Sequence, residues 1–99
     1  MKLGIYLFDE VEVLDFAGPF EVFSTASRLA LREAPDGASP PFEVLTLGPD
    51  TAPVRARGGL LVTPQHAYAQ APELDGLIVP GGIVFGVLCL VEVIVLLRS

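Results

Sequence analysis

The chain has 99 residues, which is enough for one small domain and too few for two. Its formal net charge of −6 and its scattered Lys and Arg residues argue against a nucleic-acid surface. A single cysteine, Cys89, excludes an internal disulfide. Asp9 and Glu10 interrupt the first apolar run too early for the core of a signal peptide, so we expect a cytoplasmic protein.

The first predicted elements are a buried strand and a long helix. Lys2–Phe8 is short and apolar, which is typical of a strand covered on both faces. From Asp15 the apolar residues recur at helical spacing, and the helix should run to about Glu33. Asp15 is a natural N-cap type, and Pro19 is tolerable in a first turn, where its missing N–H has no partner.

The middle of the chain predicts a second strand, a hairpin and a third strand. Phe42–Leu47 alternates apolar and polar residues, and Val54–Val62 has the pattern of a hairpin that turns at two glycines. Pro64–Ala71 predicts a short helix or an irregular turn. Gly76–Val79 predicts a buried strand that ends at Pro80-Gly81-Gly82. This order of elements indicates an α/β sheet with crossover helices.

The composition changes at Ile83, and the run to Leu97 carries Glu92 as its only charge. Three interpretations are open: a buried strand plus another without a turn signal between them, a membrane span, or a tail foreign to the domain, produced by a frameshift, a truncation or a gene-model error. A span is disfavoured, because the run is shorter than the ~20 apolar residues that a bilayer needs and contains a charge. We favour the third interpretation, with a partial domain at 1–82 and an atypical tail at 83–99.

Asp15 and the glycine pair Gly81-Gly82 are the candidate functional residues. Asp15 would either cap the helix or, at the carboxyl end of the first strand, hold or share a proton with a nucleophile. Two successive glycines would either form a plain turn or direct their N–H groups at an oxyanion.

The remaining reactive side chains give weaker signals. His66, the only histidine, has no Ser or Cys partner at a suitable spacing, and we expect it on a surface or loop. Arg55 and Arg57 alternate on the hairpin and should face solvent or a partner subunit. Cys89 has no basic neighbour to lower the pKa of its thiol, so we expect it to be inert. No cofactor and no metal site are expected.

Together these segments resemble the DJ-1/PfpI superfamily, the class I glutamine-amidotransferase-like group of flavodoxin-like proteins. Its isonitrile hydratase-like enzymes and the N-terminal domains of AraC-type transcription regulators are the most similar branches. The block from Leu14 to Pro19 together with Pro80-Gly81-Gly82 carries most of the resemblance. The other matching segments are Lys2–Phe8, Phe42–Gly48 and Gly58–Pro64.

The resemblance implies roles for these residues and a fold for the chain. Asp15 would sit against the catalytic cysteine of the family, and Gly81 and Gly82 would form its oxyanion-binding corner. The family's cysteine lies further along, on a strand-to-helix elbow, and Cys89 follows Gly82 too soon to match it. The implied fold is the N-terminal half of a flavodoxin-like, mainly parallel sheet. The complete family fold would bind a small-molecule ligand and form a homo-oligomer.

Three functional hypotheses follow. The chain is an enzyme-derived fragment, inactive because the nucleophile is missing. Alternatively it is a sensor or interaction module like that of an AraC-type regulator, without the DNA-binding part, or a small membrane-anchored protein. Because a sheet without its later strands leaves an open edge, we also expect a poorly soluble chain or one that folds only with a partner.

Overall fold

The computed structural model describes residues 1–84 and 87–97, and for residues 82–84 and 87–97 it describes the backbone alone. Five strands form one sheet in the order β5, β2, β1, β6, β7. These strands are β1 (Lys2–Tyr6), β2 (Glu43–Gly48), β5 (His66–Ala67), β6 (Gly76–Val84) and β7 (Val87–Leu97). The first four in this spatial order pair in parallel, and β7 pairs antiparallel with β6. The predicted α/β fold with a mainly parallel sheet is confirmed.

The single α-helix of the described chain, α1 (Val13–Glu33), connects β1 to β2. The predicted end at Glu33 is right, but the prediction that Asp15 caps the helix is wrong. Glu12 is the cap residue, and Asp15 is the third helical residue. The backbone N–H of Glu12, which like other N-cap N–H groups has no acceptor in its own helix, is bonded to the carbonyl of Gly81 in β6.

Pro19 lies within the helix rather than in its first turn, so that prediction is also wrong. Proline has no N–H to donate to the carbonyl of Asp15 four residues earlier, which weakens the ladder at this point. The helix continues because its inner side is anchored on the sheet, where Phe16 is buried and Phe23 packs against the core. Burial of these aromatic side chains offsets the lost hydrogen bond.

The main core lies between α1 and one face of the sheet, which we call the helix face. The β1–β2 and β1–β6 registers place Leu3, Ile5 and Ile78 on this face. Each of these three side chains is at most 2% exposed. Phe16 of α1 packs in the same cluster as Ile5 and Ile78, so the helix and strands β1 and β6 share one core.

The opposite face of the sheet, which we call the second face, is also apolar. Alternation along the strands and the same registers assign five side chains to it: Tyr6, Leu45, Leu47, Leu77 and Val79. Leu45 and Leu47 are buried, whereas the other three are only partly buried. The described chain therefore covers the two faces unequally.

A small hairpin follows β2 and confirms the sequence prediction. Its strands β3 (Val54–Arg55) and β4 (Leu61–Val62) pair antiparallel. The chain reverses at Gly58 and Gly59, whose φ values are 81° and 90°. These values lie in the left-handed region that glycine adopts without steric cost, so the turn depends on both glycines.

Two other predictions need correction. Pro64–Ala71 contains the predicted short helix, a 3-10 helix at Tyr68–Gln70, and also β5, which pairs with the end of β2 and was not predicted. His66 accordingly lies in the edge strand and is partly buried, which agrees with the expected surface position and not with a loop. Finally, β6 does not end at Pro80 but continues to Val84, because β7 pairs along it.

The backbone of the apolar tail forms the end of β6 and all of β7, with an irregularity in the register between Pro80 and Gly82. This matches the interpretation of two strands that the sequence left open. Whether the tail is foreign to the domain stays a prediction, and Phe85-Gly86 and Arg98-Ser99 lie outside the described residues. Among the described residues, no helix has the length and apolar character needed to cross a bilayer.

Candidate functional site

The candidate site lies at the carboxyl end of β1, where the chain passes from the sheet into α1. Ligands bind at this end of the strands in open α/β sheets. The connection runs from Leu7 to Glu12, and it begins with the buried Leu7 on the sheet and includes the fully buried Val11. These two apolar anchors fix a short polar segment, Asp9-Glu10, between them.

One hydrogen bond joins the two predicted halves of the site. The backbone N–H of Glu12 donates to the carbonyl oxygen of Gly81 at 2.9 Å. Gly81 is buried, so this bond is shielded from water. The start of α1 and the Pro80-Gly81-Gly82 segment are therefore neighbours in the fold, although Glu12 and Gly81 are 69 positions apart in the sequence (81 − 12).

Asp15 occupies the first turn of α1, one turn after this contact. It is partly buried, and its backbone N–H donates to the carbonyl of Glu12 at 3.2 Å. A carboxylate in the first turn interacts favourably with the positive end of the helix dipole. The helix dipole therefore stabilises a carboxylate at Asp15, on the helix whose cap residue contacts Gly81. Its role in a reaction stays a prediction.

The β3–β4 hairpin is hydrogen-bonded to the loop between β1 and α1. The backbone N–H of Arg55 donates to a carboxylate oxygen of Asp9 at 2.9 Å, and the N–H of Glu10 donates to the carbonyl of Arg55 at 2.8 Å. Glu10 has a φ of 71°, an unusual value for a residue other than glycine. The hairpin therefore stabilises a strained backbone at the edge of the candidate site.

A second set of contacts between the hairpin and this loop involves Arg57 and Glu12, which the sequence did not indicate as site residues. The backbone N–H of Arg57 donates to the carbonyl of Val11 at 3.0 Å, and its guanidinium lies 3.2 Å from a carboxylate oxygen of Glu12. The side chain of Arg57 is still 40% exposed, so it contacts Glu12 while facing solvent, and Arg55 is exposed as expected. The sequence did carry a signal for this contact between the hairpin and the start of α1. Three acidic residues, Asp9, Glu10 and Glu12, could pair with the two alternating arginines.

The other candidates do not converge on this site. His66 lies in β5, which β2 separates from β1. The register pairs Cys89 of β7 with Gly82, but its side chain lies outside the described residues. In the part of the chain that the structure describes, no group of three or more His, Cys, Asp or Glu residues is arranged to hold a metal ion.

A groove of about 500 Å³ runs along the first half of α1. Phe16, Phe20 and Val62 form its apolar walls. Its polar side contains Thr46 and Gln65, which are bonded to each other through two backbone-to-side-chain hydrogen bonds of 2.9 and 3.0 Å. The groove is open to solvent and has the dimensions of a small-molecule site.

Comparison with curated proteins identifies two relatives, while no family model matches the chain. The chain is 30% identical over 82 residues to an isonitrile hydratase from Pseudomonas putida, which covers 83% of this chain and 30% of the relative. It is 35% identical over 81 residues to an uncharacterized protein in the cpoL 5' region of Streptomyces lividans, covering 82% of this chain and 51% of the relative.

A solved structure supports the same assignment. The DJ-1 superfamily protein Atu0886 from Agrobacterium tumefaciens matches with a TM-score of 0.58 and 27% identity, over 83% of this chain and 38% of that one. The chain thus spans from less than a third to about half of the length of the proteins it matches. The sequence relatives and the solved structure therefore agree with the motif resemblance and support a DJ-1/PfpI-type domain in this chain.

Proposed function

We propose that the chain supplies the acidic and backbone half of a cysteine-dependent site that hydrates or hydrolyses a small carbon–nitrogen compound. The observation that carries the proposal is the hydrogen bond from the Glu12 N–H to the Gly81 carbonyl. It supports a site in which the first turn of α1, with Asp15, faces the segment Gly81-Gly82. A cysteine from the remainder of the domain would complete it.

In this proposal each group has a distinct task. The carboxylate of Asp15 holds or shares the proton of the thiol, so that the thiolate attacks an electrophilic carbon. The N–H groups of Gly81 and Gly82 stabilise the negative charge that develops in that step. The name of the Pseudomonas putida relative suggests an isonitrile as the substrate class, in which water adds to the isonitrile carbon to give an N-substituted formamide.

By itself the 99-residue chain should not catalyse this reaction. Its only cysteine is Cys89, whose sequence neighbours are Leu88 and Leu90. A reactive thiolate requires an electropositive, partly exposed setting, and an apolar run offers none. Incubation of the purified chain with cyclohexyl isonitrile should give no more formamide than buffer does. Turnover that disappears in Cys89→Ser would overturn the assignment of Cys89 as inert.

A chimera tests the positive part of the proposal. Residues 1–82 of this chain would replace the matched segment of the Pseudomonas putida isonitrile hydratase, which retains its own later residues. Asp15→Asn should lower kcat/KM of the chimera by at least about a hundredfold, since general acid–base groups contribute about 10²–10⁴. Glu33→Gln, at an exposed position at the far end of the same helix, is the matched control and should leave the rate unchanged. Equal rates in both variants would refute the role of Asp15.

The groove along α1 favours a second candidate, a ligand-binding sensor module of the kind found in AraC-type regulators. In that case the groove would bind a small apolar molecule without turning it over. Phe20→Asp, at the groove wall, would then abolish ligand binding by the complete protein. An active chimera whose rate depends on Asp15 would favour the enzyme over the sensor.

A further inference from the structure

We propose that the groove along the first half of α1 binds a small neutral molecule with an apolar body and one hydrogen-bond acceptor as its head group, such as a tertiary amide. The inference rests on the sensor candidate and deepens it by naming the class of ligand. It is independent of the catalytic proposal, because neither Asp15 nor Gly81 lines the groove. Binding requires no nucleophile, so the 99-residue chain can be tested as it stands.

The groove exists because α1 covers only part of its face of the sheet. Ile5 of β1 is 0% exposed under the helix, whereas its register partner in β2, Thr46, is only partly buried. Val62 of the hairpin contributes an apolar wall that does not belong to the helix. The resulting space of about 500 Å³ is large enough for a molecule with one ring and one head group.

The apolar walls of the groove suit an aromatic or branched aliphatic body. Phe16 packs in the hydrophobic core and connects the groove to it. Phe20, one turn further along α1, is 36% exposed and does not belong to the core cluster of the described chain. Aromatic side chains bury a large area and pair with other rings in offset or edge-on arrangements. Phe20 therefore has ring surface that a ligand can cover.

The polar side of the groove presents hydrogen-bond donors. The backbone N–H of Thr46 donates to Oε1 of Gln65 at 2.9 Å, and the N–H of Gln65 donates to the Thr46 hydroxyl at 3.0 Å. Because a backbone N–H can only donate, it takes the oxygen of the Gln65 amide, and the two N–H donors of that amide have no partner among the described residues. The Thr46 hydroxyl also retains its own proton to donate. A ligand that matches this side is an acceptor.

The charges around the groove favour a neutral ligand. Among the described residues that line it, Glu21 is the only ionisable one, and it already contacts Arg28 on the exposed surface of α1. An anionic head group would meet this carboxylate without a cation in the lining to compensate it. A cationic head group would bring its N–H donors against the donors of Gln65. A neutral acceptor avoids both conflicts, and such conflicts are what separate one ligand class from another.

A ligand-observed NMR titration of the 99-residue chain tests the inference with N,N-dimethylbenzamide as the probe. We expect saturable binding with a Kd of about 1 mM or tighter, as for other ligands of this size. Toluene has the ring without the acceptor, and N,N-dimethylbenzylammonium has a charged donor in place of the carbonyl. Each should bind at least about tenfold more weakly, since one hydrogen bond is worth about that factor.

Gln65→Glu is the decisive variant. It keeps a side-chain oxygen for the N–H of Thr46, while it replaces the amide donors by an acceptor and a negative charge. The affinity for the amide should fall at least about tenfold and the affinity for the ammonium should rise, so that the preference reverses. Phe20→Ala should weaken both, whereas Leu29→Ala, also exposed on α1, is the matched control and should weaken neither. Circular dichroism of each variant checks that the fold is retained.

The outcomes separate this inference from the proposed functions. No saturable binding of the amide, or an unchanged preference in Gln65→Glu, would overturn the ligand class. Equal binding of toluene would overturn it too, but it would leave the sensor candidate standing. A Kd that rises with protein concentration would show that a second copy of the chain fills the groove, and would also overturn it. Asp15→Asn should bind the amide normally, and loss of binding there would place the ligand at the proposed catalytic site instead.

Discussion

At the scale of single residues, Glu10 shows how the tertiary structure overrides local preference. Its φ of 71° costs a residue with a Cβ atom about 1–2 kcal/mol. The cost is tolerated because its N–H is bonded to Arg55 and the next residue, Val11, is fully buried. Strain of this kind is found where the surrounding structure over-determines the backbone, often beside functional sites. Nothing in the local sequence Asp9-Glu10-Val11 predicts it.

Glu10→Gly should therefore stabilise the chain. Glycine removes the left-handed strain but adds conformational entropy to the unfolded chain, so we expect the free energy of unfolding to rise by about 0.5–1 kcal/mol. The measurement is urea denaturation followed by circular dichroism. Glu21→Gly, the same change in the interior of α1, should instead lower it by about 1 kcal/mol. The same sign for both variants would contradict the strained conformation of Glu10.

At the scale of elements, α1 depends on one buried polar residue that the apolar pattern does not reveal. Ser27 is 7% exposed, and its hydroxyl donates to the carbonyl of Phe42 at 2.8 Å and accepts the N–H of Phe42 at 3.0 Å. The rings of Phe23 and Phe42 meet edge-on at 4.9 Å beside this pair of bonds. Together they fasten the middle of α1 to the residue that precedes β2.

Ser27→Ala should cost more than an ordinary Ser-to-Ala change. It leaves the N–H and C=O groups of Phe42 without their partner, and we expect a loss of about 1–3 kcal/mol in the free energy of unfolding. Ser24→Ala, on the same helix, should change it by less than about 0.5 kcal/mol because alanine is the better helix former. Similar effects of the two substitutions in thermal unfolding would show that the Ser27–Phe42 bonds contribute nothing.

The N-terminus of α1 is a second element-scale feature, since the hairpin holds it through Arg57 and Glu12. Both side chains of this pair are about 40% exposed, so solvent screens their attraction. Arg57→Met should therefore lower the free energy of unfolding by no more than about 1 kcal/mol, and the difference from the parent chain should shrink at high salt. Arg28→Met, which removes the more exposed contact with Glu21, should have no measurable effect in the same titrations.

At the scale of the whole molecule, the sheet ends in an apolar edge. β7 has 11 residues, contains one charge and lies outermost in the strand order. A long edge strand with few charges is a site for pairing between chains. The sequence-based expectation of poor solubility is untested, and the strand order supports it because it leaves the outer side of β7 without a neighbour in the described chain.

Charges placed in β7 should improve solubility. Val91→Lys combined with Val93→Lys adds two charges beside Glu92 in the middle of β7, and we expect a larger soluble fraction and less light scattering at equal concentration. Leu14→Lys, on the exposed side of α1, is the matched control and should change little. A parent chain that is already monodisperse and unfolds cooperatively as a monomer would contradict the premise.

The sequence by itself determined the fold class, the parallel strands, the C-terminal end of α1 and the glycine hairpin. Each of these follows from short-range periodicity or from a residue type with one conformational use, as at Gly58 and Gly59. The family also followed from the sequence, since the blocks around Asp15 and Gly81 are spaced in a specific order. Their roles in a reaction remain proposals.

Only the tertiary structure decided where α1 begins, how far β6 extends and which charges meet. Glu12 rather than Asp15 is the cap residue, its N–H is bonded to the carbonyl of Gly81, and its carboxylate contacts the guanidinium of Arg57. These contacts join residues more than 40 positions apart, and their energies depend on distances that no local pattern encodes. The unequal cover of the two sheet faces has the same origin, because burial depends on which elements pack together and not on the strand sequence alone.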